Sequence, residues 1–129
     1  MMKILIVDDN AKMRRVIKTL VADQADEFCE CADGETACAA YAEYQPDFVL
    51  MDLAMGQVDG LIATRQIIDA NPAARIIIVT NYDDKHLRAA AQASGACGYV
   101  LKENLLELSA LLLRLASDPG PASDPGRQV

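Results

Sequence analysis

Five short apolar or β-branched runs, Lys3–Val7, Glu27–Ala32, Phe48–Met51, Ile76–Thr80 and Gly98–Leu101, alternate along the chain with stretches whose apolar residues recur on a helical period. That alternation predicts an α/β fold, with a parallel sheet buried between two layers of helices. In the first helical stretch Met13, Val16, Ile17, Leu20 and Val21 form one stripe directed at the sheet. Ala37, Ala40, Tyr41 and Tyr44 repeat the pattern before Pro46 stops the second helix. The third opens after Asp59-Gly60 and ends near Asn71-Pro72, a pair that favours leaving the helix. The fourth runs from Asp83 to Ser94 and closes at Gly95; its alanines bury little apolar area, which marks it as one of the more mobile elements.

The last helix, about Asn104 to Ala116, directs Leu105, Leu108, Leu111, Leu112 and Leu115 at the core. Leu106, Ala110 and Leu113 make a second apolar stripe roughly opposite, a candidate surface for a downstream protein partner or a weak homodimer. Beyond it, SDPGPASDPGRQV is too polar to offset its ordering entropy. The expected organisation is therefore one domain over residues 1–116 and a disordered tail over 117–129.

Charge narrows the function. Twelve basic against nineteen acidic residues leave a formal charge of −7, and no basic patch is available to displace counterions from a phosphate backbone, so direct nucleic-acid binding is not expected. The run Ile4–Val7 is cut off by Asp8 and Asp9, too early for a signal peptide or a membrane span, which points to a cytoplasmic protein with no membrane contact. Cys29, Cys31, Cys38 and Cys97 match neither a zinc nor a CxxC spacing and are expected as buried or half-buried free thiols.

In an open parallel sheet, ligands bind outside the carboxyl ends of the strands. The residues at those ends are polar here: Asp8-Asp9, Asp52, Thr80 and Lys102. Singly, each has an ordinary structural explanation, as a helix cap, a strand terminus or a solvated lysine. Jointly they call for a ligand, because two carboxylates about 4 Å apart repel by about 4 kcal/mol at an effective dielectric near 20. Three such groups need a cation, and oxygen donors select a hard one such as Mg²⁺.

The segments KILIVDDN, MDLAMGQVDG, IIIVTN and GYVLK, in this order along residues 3–116, resemble the response-regulator receiver family of bacterial two-component signalling. The resemblance implies a doubly wound, flavodoxin-like five-stranded sheet of order 2-1-3-4-5. It also implies that Asp52 accepts a phosphoryl group from a sensor histidine kinase or a histidine phosphotransfer protein. Mg²⁺ would be held by Asp9, Asp52 and the backbone carbonyl of Ala54 directly, and by Asp8 through a water. Lys102 and Thr80 would hold phosphoryl oxygens. Tyr99 occupies the place of the family's reorienting aromatic ring, coupling Thr80 to the surface of the fourth helix, fifth strand and fifth helix. Such a protein catalyses only its own phosphorylation and dephosphorylation and is not otherwise an enzyme.

Three alternatives carry less. A phosphatase of the haloacid-dehalogenase type needs a DxD pair after the first strand, where this chain has Asp8-Asp9-Asn10. A flavodoxin needs a glycine- and hydroxyl-rich phosphate cradle in place of DDNAKMRR. A pseudo-receiver that binds partners without being phosphorylated keeps the fold and is the nearest competitor.

The chain departs from the family pattern at several points. Glu103 replaces the usual proline after Lys102, so a trans link and a more loosely held lysine are expected. Gly56 replaces a proline in the loop after Asp52, loosening it. Ala54 has no polar side chain for a phosphoryl group, and Asn81 stands where alanine or glycine is usual and narrows the route to Asp52. These two positions predict slow phosphorylation by small donors and a long-lived phosphorylated state. Asn81→Ala should speed both gain and loss of the phosphoryl group; unchanged rates in a time course with a small-molecule donor would refute this role.

Overall fold

The computed structural model describes residues 2–54 and 59–117. Elements follow one another as β1 (Lys3–Val7), α1 (Ala11–Leu20), β2 (Glu27–Cys31), α2 (Ala37–Tyr44), β3 (Phe48–Met51), α3 (Gly60–Ala70), β4 (Ile76–Thr80), α4 (Lys85–Ala93), β5 (Gly98–Leu101), a 3-10 turn (Lys102–Asn104) and α5 (Leu106–Ala116). The sheet is parallel, in the order β2-β1-β3-β4-β5. This is the doubly wound, flavodoxin-like arrangement that the sequence implies.

Strand alternation divides the core into two layers. Leu5, Val7, Val49, Met51, Ile76 and Ile78 face one way and pack against Ala37, Tyr41, Ala63, Ile67 and Ala91 of α2, α3 and α4. Ile4, Ile6, Phe48, Leu50, Ile77 and Val79 face the other way, toward Ile17 of α1, Val21, and Leu108 and Leu112 of α5. Because β1, β3 and β4 are covered on both sides, they read as continuous apolar runs and not as alternating ones. The strand ends are thereby immobilised, and whatever follows them inherits fixed positions.

Several boundaries differ from the sequence expectation. β2 stops at Cys31, before Ala32. α4 starts at Lys85, because Asp84 is its N-cap and accepts hydrogen bonds from the backbone N–H groups of His86 and Leu87. Val16 does not join the core stripe of α1 but is 49% exposed. It lies about 100° around the helix from Ile17, at the rim of a face centred on Ile17 and Val21. Residues 102–104 form a 3-10 turn, so α5 proper begins at Leu106. Ser117 ends that helix, its hydroxyl donating to the Leu113 carbonyl. The remainder of the expected tail, 118–129, and Gly56 lie outside the described residues. All four cysteines are unbridged, and Cys97 is exposed where a buried or half-buried thiol was expected.

One glycine ties this framework to the strand ends. Gly60 opens α3, and its N–H donates to the Leu53 carbonyl at 2.9 Å. A Cβ there would overlap the Asp52 carbonyl oxygen and lie 2.9 Å from Leu53 Cα. Gly60→Ala would gain about 0.5–1 kcal/mol of helix propensity, but the obstacle is backbone and cannot rotate away. The expected net result is a loss of roughly 1–3 kcal/mol in urea unfolding, together with a displaced Asp52.

Candidate functional site

Asp8 and Asp52 are where neighbouring strands run out. β1 and β3 are in register up to Val7 and Met51. The next residues still hydrogen-bond as strand: Asp8 N–H donates to the Cys31 carbonyl at 3.0 Å, and Asp52 N–H to the Val7 carbonyl at 2.9 Å. Both side chains are therefore placed by the sheet and both residues are buried, while Asp9 turns outward and is exposed. One carboxylate oxygen from each of the three lies within 4.8 Å of the other two.

Lys102, the first residue after β5, reaches across this edge. Its Nζ stands 2.9 Å from Asp8 Oδ2 and 3.4 Å from Asp52 Oδ1, with the side chain only 9% exposed. No cis peptide occurs among the described residues, as expected at Lys102-Glu103. In place of a loosely held lysine, however, two buried carboxylates engage it. Asp8 is further fixed by the backbone N–H of Asn10, which donates to its Oδ1 at 2.8 Å. Asn10 in turn caps α1 by accepting from Met13 N–H.

Thr80 ends β4 opposite Leu101, the residue before Lys102, and is fully buried. Its Oγ1 accepts from the N–H of Tyr82 at 3.3 Å. Tyr99 donates its hydroxyl to the carbonyl of that same Tyr82 at 2.6 Å, with the Arg88 guanidinium 4.5 Å from its ring centroid. Arg88 is also paired with Asp83 at 3.3 Å. Thr80 and Tyr99 thus meet through one intervening residue. Asn81 and Ala54 are both exposed beside the strand ends. Leu106, Ala110 and Leu113 are gathered on the outer face of α5, Leu106 being 74% and Leu113 66% exposed.

Two participants are not evident from strand-end polarity alone. Arg14 donates to the Asp8 carbonyl at 2.6 Å and to Glu30 Oε1 at 2.8 Å, while Lys18 takes the other Glu30 oxygen at 2.8 Å. Hydrogen bonds from Lys18 and then Arg14 hold the Glu30 carboxyl below the usual range. The Asp8-Asp9 turn is thereby clamped to the edge strand. The available signal was a glutamate inside a strand and two basic residues four apart on the next-door helix. Tyr82 is the other, and only its backbone acts, which no side-chain pattern reveals.

The electrostatics are unbalanced. Burial, reinforced by the charges of Asp8 and Asp9 and opposed by Lys102, pushes the Asp52 carboxyl above its ordinary range. Burial alone would lower Lys102, but its hydrogen bond to Asp8 and the charges of Asp52 and Asp8 hold the ammonium above its ordinary value. Three carboxylates cluster here while Lys102 pairs with two of them, and the donors are all oxygen. That surplus and that donor set fit a hard divalent cation such as Mg²⁺.

A pH-dependent cost follows for the metal-free domain. A carboxyl whose folded pKa lies above its unfolded one disfavours folding when ionised, and this penalty is relieved as pH falls through the folded value. Without Mg²⁺ at neutral pH, Asp52→Asn should raise Tm by roughly 3–6 °C, the shift that about 1 kcal/mol makes in a domain of this size. Thermal melts should show the gap narrowing on acidification. An ion held by this cluster would stabilise the wild type by mass action, so the gap should also narrow if Mg²⁺ is added and bound there.

Comparison with known proteins agrees with this geometry. A model of the response regulator receiver domain matches residues 4–113. The chain is similar to the oxygen regulatory protein NreC of Staphylococcus aureus, 40% identical over 104 residues that make up 78% of this chain and 48% of that protein. It is also similar to the transcriptional regulatory protein DegU of Brevibacillus brevis, 33% identical over 103 residues, 78% of this chain and 44% of that one. The matched stretch thus spans about half the length of these relatives. A solved LuxR-family two-component response regulator from Aurantimonas sp. SI85-9A1 superposes with a TM-score of 0.76 at 32% identity, over 87% of this chain and 85% of that one. On this match, and with the sheet order and acidic strand ends described above, the chain belongs to the response regulator receiver domain family.

Proposed function

We propose that this domain is a phosphorylation-dependent signalling switch in which Asp52 accepts a phosphoryl group from a phosphohistidine of a sensor histidine kinase or histidine phosphotransfer protein. The observation that carries the reading is the convergence of Asp8, Asp9 and Asp52 at the carboxyl edge of the sheet, with Lys102 paired to Asp8 and Asp52. Phosphoryl transfer asks a protein chiefly to align the reacting groups and neutralise charge on the transferred oxygens. Asp52, already a carboxylate, attacks without a general base. Asp8, Asp9, Asp52 and the Ala54 carbonyl are the groups to hold Mg²⁺, which when bound supplies charge neutralisation at the phosphoryl oxygens. Lys102 shifts part of its charge from Asp52 to an incoming oxygen. Hydrolysis of the acyl phosphate at the same centre resets the domain, so its catalysis is confined to its own phosphorylation state.

The switch runs through Tyr82. When Thr80 turns its hydroxyl to a phosphoryl oxygen, it gives up the Tyr82 N–H, and Tyr99 loses the fixed carbonyl to which it is tied. The face formed by α4, β5 and α5 then changes, altering contact with a downstream protein. With a charge of −7 the domain suits a protein partner better than nucleic acid. No described helix is long and apolar enough to cross a membrane, and we place the protein in the cytoplasm.

Intact-mass spectrometry after incubation with acetyl phosphate or phosphoramidate checks this. A single phosphoryl adduct should form only with Mg²⁺ and be absent from Asp52→Asn. Should a phosphorylated histidine kinase also leave the wild type unmodified, the domain is a pseudo-receiver and the proposal fails.

A further inference from the structure

We propose that Arg88 is a positioning residue of the switch: by stacking on Tyr99 while gripping Asp83, it holds Tyr99 to the β4–α4 connection in the unphosphorylated domain and so sets how readily Asp52 accepts a phosphoryl group. The inference rests on the phosphorylation reading above and adds to it a residue that carries none of the chemistry.

Arg88 closes the first turn of α4, its backbone N–H donating to the Asp84 carbonyl at 2.9 Å. On the same helix Ala91 is buried and Leu87 half-buried, whereas Arg88 is exposed and turned to β5. There its Cζ lies 4.5 Å from the centroid of the Tyr99 ring. Its Nε and Nη2 donate to Asp83 Oδ1 at 3.4 and 3.3 Å. Asp83 is the chain neighbour of Tyr82, whose carbonyl accepts the Tyr99 hydroxyl at 2.6 Å and whose N–H donates to Thr80 Oγ1 at 3.3 Å. The contacts therefore form a closed circuit: Tyr82 to Tyr99, Tyr99 to Arg88, Arg88 to Asp83, and Asp83 through the peptide bond back to Tyr82. Thr80 joins the circuit at Tyr82. A turn of the Thr80 hydroxyl toward the strand ends thus loosens residues that Arg88 is bracing from the α4 side.

Room for the released ring is present. A groove of about 260 Å³ on the α4 side of β5 is lined by Arg88, Gln92, Ala96, Cys97, Gly98 and Tyr99, so a ring freed of Arg88 can turn on that side. The stacking and the ion pair are both exposed, and each is modest. Both exist only while Tyr99 is tied in place, so removing them raises the share of the released arrangement. A reaction that needs the released arrangement then speeds by the same factor, as long as that share is small.

Initial rates of Asp52 phosphorylation by phosphoramidate with Mg²⁺, followed by intact-mass spectrometry, test this. Arg88→Ala should raise the rate by about two- to fivefold, the ratio that about 0.5–1 kcal/mol of cation–π stacking corresponds to. Arg88→Lys, which keeps the cation but not the planar fork, should fall between the two. In a Tyr99→Leu background, which has neither ring nor hydroxyl, Arg88→Ala should change nothing, whereas a general loosening of α4 would persist there. An unchanged or slower rate in Arg88→Ala, or an acceleration that survives Tyr99→Leu, overturns the proposal and leaves the phosphorylation reading standing. A wild type that takes no phosphoryl group from phosphoramidate or from a phosphorylated histidine kinase overturns both. If Arg88→Ala lowers the urea midpoint, Asp83→Asn decides in its place, with a smaller acceleration expected and the same dependence on Tyr99.

Discussion

Everything at the functional edge of this domain turns on one imbalance: three carboxylates cluster together, two of them buried and paired with a single ammonium group. Isolated carboxylates in such positions would protonate or relax apart. Here they are kept from moving apart, because the peptide groups that carry Asp8 and Asp52 are bonded into the sheet, and burial instead pushes the Asp52 carboxyl above its ordinary range. The fold enforces a repulsion that a bound cation would relieve. The site is thus prepared by the same backbone hydrogen bonds that make the strands.

Holding that geometry takes supports on every side. Cys31 receives the Asp8 N–H, Arg14 grips the Asp8 carbonyl, and Asn10 N–H fixes one carboxylate oxygen. Gly60 brings the start of α3 against the Asp52 backbone more closely than any side chain would allow. Lys102 depends on β5, whose strand ends level with Thr80. Four of the five strands thereby contribute a group or a constraint, and so does β2 through Cys31 and Glu30. An edge strand with little apolar surface of its own is kept in place partly by the Glu30 ion pairs.

Much of this was legible in the residue order because the governing interactions are strongly patterned. Continuous apolar runs marked doubly covered strands, and the crossover rule for parallel sheets sends their polar successors to one edge. Val16 was misplaced because an apolar residue on the rim of a stripe satisfies the period as well as one at its centre. The start of α4 was misread for a different reason. Asp83 and Asp84 are both plausible caps, and only the pair of N–H groups accepted by Asp84 distinguishes them. Arg14 left a partial signal in Glu30 and in its spacing from Lys18, but its contact with the Asp8 carbonyl and the part played by the Tyr82 backbone rest on distances that no spacing encodes.

Tyr82 joins the site to the surface by its two backbone ends. Its N–H is held by a side chain that belongs to the site, and its carbonyl by one that belongs to the surface. Thr80 is buried and its Oγ1 accepts from the Tyr82 N–H, so a rotation of its side chain toward the strand ends would release Tyr82. Tyr99 is less constrained, since Arg88 stacks on its ring from α4 and is itself shared with an exposed Asp83. Contacts of that exposed kind are worth little each and exchange readily. Tyr82 is thus bounded by a buried contact on the side of the sheet edge and by weak, exposed contacts on the side of α4 and β5, the arrangement on which the proposed switch rests.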